Sequence, residues 1–179
     1  MIETEAGTTA WFAMQYGRGK FAIFGAFESD EPRQMHLRGD AARGLETRAE
    51  ELLVDLPRID FIDLLGAKLS SGSAAPSKAL LLTFHAQIGH TDEVAGYLCD
   101  SERVVDTEPN TMAWFGFHCR DFRVGGGEFG IFDVFADNAG RFAHLTGRVP
   151  RGIAKQGMNL FRDFPEIRLV NLLESKLPH

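Results

Sequence analysis

Of the six histidines in this sequence, two recur in the same local setting, and histidine is the side chain best suited to move a proton near neutral pH. His36 stands in Arg33-Gln34-Met35-His36-Leu37-Arg38-Gly39, and His144 in Arg141-Phe142-Ala143-His144-Leu145-Thr146-Gly147, 108 positions later. On a helix His144 shares a side with Gly140 and Gly147, which leaves room for a molecule beside the imidazole. A histidine so placed is a candidate general base. The plainer alternative is an imidazole bonded to a backbone carbonyl where a helix meets a sheet. Trp11 and Trp114 also recur; they could line an aromatic pocket, donate through the indole N–H, or fill the core. His118 falls on the same strand face as Trp114, and its counterpart is Gln15. Both are polar anchors for an otherwise dry cavity, or residues exposed at a strand end.

Other chemistries find less support. His85 and His90 would lie on opposite faces of a continuing strand, and no carboxylate or cysteine is spaced to complete a metal site. Gly125-Gly126-Gly127 lacks the Lys-Ser/Thr of a phosphate loop and reads as a turn. No Ser/His/Asp arrangement and no flavin or nicotinamide fingerprint is visible, so no cofactor is expected. Cys99 and Cys119 stand outside any Cys-x-x-Cys spacing and read as free thiols.

The recurrences belong to a larger one. Thr4-Glu5-Ala6-Gly7-Thr8-Thr9-Ala10-Trp11-Phe12 returns as Thr107-Glu108-Pro109-Asn110-Thr111-Met112-Ala113-Trp114-Phe115, and Phe21-Ala22-Ile23-Phe24-Gly25-Ala26-Phe27 as Phe129-Gly130-Ile131-Phe132-Asp133-Val134-Phe135. Lys68-Leu69 returns as Lys176-Leu177. The offset is 103 in the first block and 108 afterwards, which places five inserted residues in a hairpin at 122–127. A period this long describes a duplicated domain. The boundaries that follow are an incomplete unit over 1–69, a linker over 70–77 (Ser70-Ser71-Gly72-Ser73-Ala74-Ala75-Pro76-Ser77) and a complete unit over 78–179.

Composition agrees with a globular protein of about that organisation: 44% of residues are hydrophobic, 25% are charged, and there are fifteen Phe against two Tyr and two Trp. A net charge of −6 disfavours nucleic acid, whose phosphates need a cationic face. The N-terminus shows no secretory signal and no window approaches the ~20 apolar residues of a membrane helix, so the cytoplasm is expected.

Apolar runs at 8–16 and 20–27, split by Gly17-Arg18-Gly19, predict a hairpin whose strands are covered on both faces. A helix is expected over 33–53, broken near Gly39 or Gly44, then a strand over 59–65. The second unit reads as strand 78–88, a helix from about 91 closed by Pro109, strands 111–120 and 128–135, helix 138–161 broken at Pro150, and strand 167–174. That is the ferredoxin-like β-α-β-β-α-β order of an α+β protein. The first unit lacks the leading strand and helix. Its sheet then has a gap, to be filled by another copy of the chain, by rearranged pairing, or by residues encoded ahead of Met1.

These residues resemble the antibiotic biosynthesis monooxygenase family of dimeric α+β barrel proteins. The likeness rests on the turn Glu5-Ala6-Gly7-Thr8, less closely Glu108-Pro109-Asn110-Thr111, leading into an apolar strand pair. It continues in Phe27-Glu28 through His36-Leu37 and in Phe135 through His144-Leu145. The resemblance implies two ferredoxin-like sheets packed face to face, with the usual homodimer carried on one polypeptide. It also implies a cofactor-independent monooxygenase acting on a small aromatic or quinol-like substrate, with His36 or His144 as base and Trp11, Trp114, Gln15 and His118 around the substrate. Haem is disfavoured, because Leu82-Thr83-Phe84-His85-Ala86-Gln87 lacks the haem-degrading pattern. The competing expectation is a noncatalytic ligand-binding or stress-related protein on the same scaffold. A homo-oligomer, a dimer, is expected if the gap is filled between chains.

Overall fold

The computed structural model describes residues 7–70, 74–119 and 128–178. The expected insertion at 122–127, the glycine run within it, residues 71–73 of the expected linker and the first residues of the leading repeated block lie outside these.

Ten residues of β1 (Thr8–Gly17) fold back on β2 (Lys20–Phe27) through Gly19, whose φ of +69° suits a residue without a Cβ. The helix expected over 33–53 divides into α1 (Asp30–Leu37), α2 (Asp40–Thr47) and α3 (Ala49–Leu52). The first break falls at Gly39, which becomes the N-cap of α2, whereas the chain stays helical through Gly44. The third strand, β3 (Ile62–Leu69), lies later than the expected 59–65, because its pairing with β5 (Ala113–Cys119) begins only at Ile62 opposite Cys119. β4 (Lys78–Phe84) ends four residues early and continues only as a bridge from Ala86 to Phe161. There follow α4 (Thr91–Val105), β6 (Phe129–Phe135), α5 (Asn138–Leu145), α6 (Arg148–Leu160) and β7 (Glu166–Lys176). The break in the last helical stretch falls at Thr146-Gly147 and not at Pro150. Pro150 instead sits in the first turn of α6, where an N–H would have no intrahelical partner to lose.

All seven strands join one antiparallel sheet in the order β2-β1-β7-β4-β6-β5-β3. Within it β7-β4-β6-β5 has the ferredoxin-like arrangement, with the leading strand β4 between β6 and β7. β3 does not return to β1 and β2; it pairs with β5, and β7 in turn pairs with β1. Each half thus lays its last strand against the other half's hairpin. No strand among the described residues separates β2 from β3, and the two stand at the ends of the strand order.

Because side chains alternate across a strand, the sheet carries two cores. On one face Leu80, Leu82, Phe84, Trp114, Phe129, Ile131 and Phe135 meet Val94, Leu98 and Val105 of α4 and Val149 and Ile153 of α6. On the other face Phe12, Met14, Phe115, Phe117, Phe132 and Val134 meet one another. Phe24 of β2 lies 4.8 Å from Phe132 and 5.0 Å from Phe115, ring centroid to centroid, and Phe12 lies 5.4 Å from Phe132. These residues come from opposite ends of the strand order, so the sheet curls until its two ends face each other. The molecule is α+β, with helices outside and a dry aromatic layer inside.

Phe132→Ala would remove a ring at the centre of that layer and should lower the stability by roughly 3–5 kcal/mol, read as the urea midpoint. Phe142→Ala, on the exposed face of α5, should change it by less than about 0.5 kcal/mol.

Candidate functional site

The strand alternation that sends Phe132 inward sends Asp133 outward, toward α5. That helix is held in place at its start by Asp137, whose Oδ1 accepts from the Gly140 N–H at 2.9 Å. Arg141 adds donations from Nη1 to the carbonyls of Ala79 (3.4 Å) and Val170 (3.3 Å). In the last turn of α5 His144 then meets a set of polar groups at the sheet's edge. Its Nδ1 donates to Glu108 Oε2 at 2.6 Å, and its Nε2 stands 3.4 Å from Asp133 Oδ1. Thr111 Oγ1 donates to the same Glu108 oxygen at 2.9 Å. Below them Lys68, reaching over from β3, donates through Nζ to the backbone carbonyls of Glu108 (2.6 Å) and Val105 (2.9 Å). The Phe135 ring flanks the imidazole at 5.4 Å.

The electrostatics follow from burial and company. Burial works to lower the His144 pKa, but the hydrogen bond to Glu108 and the charges of Asp133 and Glu108 outweigh it, and the net movement is upward. Burial works to raise Glu108, yet the bonds from His144 and Thr111 and the charges of His144 and Lys68 hold it below the ordinary carboxylate range. Glu108 is therefore ionised and His144 Nδ1 carries a proton. Asp133 is wholly buried, and burial pushes it up to about 7 against the pull of His144, with Glu108 adding to the push. Neither of its oxygens has a hydrogen-bond partner among the described residues. Lys68 moves down, through burial, against the attraction of Asp106 and Glu108.

An open groove of about 460 Å³ lies alongside, lined by Glu108, Asn110, Thr111, His144, Gly147 and Arg148 among others. Its volume falls in the range of small-molecule sites. Gly147 lines the groove, but it does not leave the open space expected of it, since a Cβ there would come within 2.9 Å of the His144 carbonyl oxygen. Nor does Gly140, where a Cβ would come within 3.3 Å of the Asn110 carbonyl oxygen. His144 is itself 6% exposed, so the Glu108 carboxylate is the more open member of the pair.

The remaining sequence candidates are spread out. His36 lies in α1 with its ring 5.3 Å from Phe27. Trp114 is fully buried on the helix side of the sheet, against Gly116 and Gly66; a Cβ on Gly116 would come within 2.6 Å of the indole, so glycine is required there. Trp11 is buried opposite Gly25 in the β1–β2 register. Neither tryptophan lines the groove, and neither indole N–H has a partner among the described residues. Gln15 is half-buried between Phe21 and Asn171 in register. His118 is half-buried, 3.6 Å from Glu128. Sequence reasoning missed Glu108, Thr111, Lys68 and Asp133. The first three stand inside the repeated blocks, where a polar residue recurring in an apolar setting was the available signal. Asp133 does not recur, since Gly25 stands at the corresponding position; its signal was a lone acid in a strand apolar on both faces.

No protein-family model matches the chain, and no curated protein matches it in sequence. Among solved structures, a protein of unknown function from Nitrosomonas europaea is 34% identical to it over 58% of this chain and 96% of its own, with a TM-score of 0.52. A "putative monooxygenase" from Fusobacterium nucleatum superposes over 99% of this chain and 81% of its own, with a TM-score of 0.79 and 14% identity. An anthrone oxidase-like protein does so over 97% and 80%, with a TM-score of 0.62 and 11% identity. At such identities the last two share the fold. Among the described residues no helix is long and apolar enough to cross a membrane.

Asp133→Asn tests the electrostatic account. Because the folded pKa of Asp133, about 7, lies above its ordinary 3.8, the folded state holds an extra proton between those values, and the native carboxyl costs stability as pH rises through that window. The variant should therefore match the parent near pH 4 and become more stable than it by pH 8. The gain should reach at most about 1.4 kcal/mol per pH unit crossed, measured as urea midpoints across the range.

Proposed function

The chain belongs to the same family as the Nitrosomonas europaea protein of unknown function, and we propose that it is a cofactor-independent monooxygenase acting on a small, electron-rich aromatic or quinol-like substrate. The observation that carries this reading is the His144–Glu108 pair, 2.6 Å apart on the wall of a groove large enough for such a molecule. The named activities of the Fusobacterium nucleatum protein and of the anthrone oxidase-like protein, which share the fold, point the same way. A base of this kind takes the acidic proton of a phenol, or of a methylene beside a ring. The resulting anion gives its electrons to dioxygen; one oxygen atom replaces two hydrogens at carbon as a carbonyl, and the other leaves as water. Glu108 keeps the imidazole oriented and stabilises the imidazolium once the proton has been taken. Arg148, on the groove wall, suits the oxyanion of the deprotonated substrate.

The same reading takes the chain as two copies of one module, the first over 1–69 without its leading strand and helix. In its support, the Phe27–His36 rings lie 5.3 Å apart at 48° and the Phe135–His144 rings 5.4 Å apart at 49°. The Nitrosomonas europaea protein matches 58% of the 179 residues, about 104, which is close to the length of one complete copy. His36 is then the counterpart base. Gly25 stands in place of Asp133, so that buried acid has no counterpart at the matching position, and we assign the main activity to the second copy.

One feature favours a noncatalytic ligand-binding protein on this scaffold: both ring nitrogens of a nearly sealed His144 already face carboxylates. Oxygen consumption with a panel of quinols and anthrone separates the two readings. On the catalytic reading His144→Ala lowers kcat/KM by roughly 10²–10⁴-fold while His36→Ala has a smaller effect. The parent rate climbs with pH as the raised His144 deprotonates, and Glu108→Gln, which removes the partner that raises it, moves that climb to lower pH. Binding of the panel without oxygen uptake, unchanged in all three variants, would favour the noncatalytic reading.

A further inference from the structure

The oxygen chemistry uses His144 and Glu108 and leaves Asp133 idle. Asp133 does not line the groove, and its side chain is only 1% exposed. Its neighbours in register, Leu80 on β4 and Trp114 on β5, give it no hydrogen bond. What faces it is His144 Nε2, 3.4 Å from Oδ1, a separation that a shift of a few tenths of an ångström would bring into hydrogen-bond range. The other ring nitrogen is committed. Nδ1 donates to Glu108 Oε2 at 2.6 Å, and that oxygen is held in turn by the Thr111 hydroxyl at 2.9 Å. A proton that the imidazole gains or loses beyond the one on Nδ1 is therefore carried on Nε2, where Asp133 stands. The other charged groups about the pair are Glu108, from the turn after α4, and Lys68, from β3, with Asp106 at the end of α4 acting on Lys68. Neither oxygen of Asp133 receives a hydrogen bond from any of them.

With no proton between Nε2 and Oδ1, an imidazole lone pair would face a sealed carboxylate that has no donor, which is the costliest arrangement of the two groups. With one proton there, either Nε2–H donates to the carboxylate or the carboxyl O–H donates to Nε2, and both groups are satisfied. We propose that Asp133 is a positioning residue that acts through His144: the two side chains hold one proton between Nε2 and Oδ1, and Asp133 thereby sets the pH at which the imidazole gives up its second proton. The upward movement of both groups agrees with this, Asp133 to about 7 and His144 above its ordinary value. Such a pair titrates in two steps that belong to both residues and to neither alone. His36 has no such neighbour at the matching position, where Gly25 stands. The consequence for catalysis rests on the reading of His144 as the base, whereas the shared proton is a property of the free protein and is measured without substrate.

Nuclear magnetic resonance titration of the full chain, labelled in the imidazole nitrogens and the aspartate carboxyl carbons, tests it in the parent and in Asp133→Asn. In the parent the Asp133 carboxyl and His144 Nε2 should report the same two steps. In the variant the His144 step should fall to lower pH by roughly one unit or more, with the His36 signals unmoved. Oxygen uptake with the quinol panel should follow, the rising limb of kcat/KM moving to lower pH by the same amount. A side chain that merely filled the space would change the height of that profile and leave its position alone. His144 titrating at the same pH in parent and variant would overturn the proposal. So would a parent in which Asp133 titrates in the ordinary aspartate range with no response at His144, a result that needs no folded variant. A shifted His144 step in a protein that consumes no oxygen with any of the panel would uphold the shared proton and count against the oxygenase reading.

Discussion

The sheet is apolar on both faces, and the helices among the described residues cover one of them. Everything else in the molecule follows from how the other face leaves water. By curling until Phe12 and Phe24 meet Phe115 and Phe132, the sheet acts as its own second layer. Phenylalanine suits this role because it brings a large apolar area and no hydroxyl to satisfy. The exchange of last strands between the halves, β3 onto β5 and β7 onto β1, makes the two ends one continuous sheet, so the curl is a property of the whole chain.

The candidate site is a consequence of that curl. Once Phe132 is fixed inward, Asp133 has no choice but to face the helix layer, and the helix that meets it brings His144. A buried carboxyl with no hydrogen-bond donor is costly, and here the cost is limited by neutralisation near pH 7 and by the imidazole 3.4 Å away. Glu108 holds the other ring nitrogen, and Lys68 ties the Glu108 backbone to the neighbouring strand. Four polar residues from four segments thus converge beside a groove, each anchored by a contact that does not involve a ligand. Such preorganisation serves a reaction in which charge develops on bound substrate.

Much of this was legible in the sequence, for physical reasons. Strands apolar on both faces announce a sheet with two covers, and the hairpin at 8–27, the paired strands after residue 111 and the helix carrying His144 all fall within a few residues of where the sequence put them. Helix breaks were less so: Pro150 looked like a breaker and is a first-turn residue, because the preceding glycine ends the helix before the proline can. Nor could the sequence disclose that Trp114 is sealed under α4 instead of lining a groove, since alternation tells which side of the sheet a residue is on and not what stands over it. Asp133 was passed over for the same reason. A single acid in an apolar strand reads as exposure until the facing helix is known.

The curl is the claim on which register and site both depend, and it is tested most directly by the contact between its two ends. In a two-dimensional nuclear Overhauser spectrum of the protein with labelled phenylalanines, the Phe24 and Phe132 rings, 4.8 Å apart, should exchange magnetisation strongly. Absence of that cross-peak, with Phe24 instead accessible to a paramagnetic agent in the solvent, would mean that the sheet is open and would contradict the account.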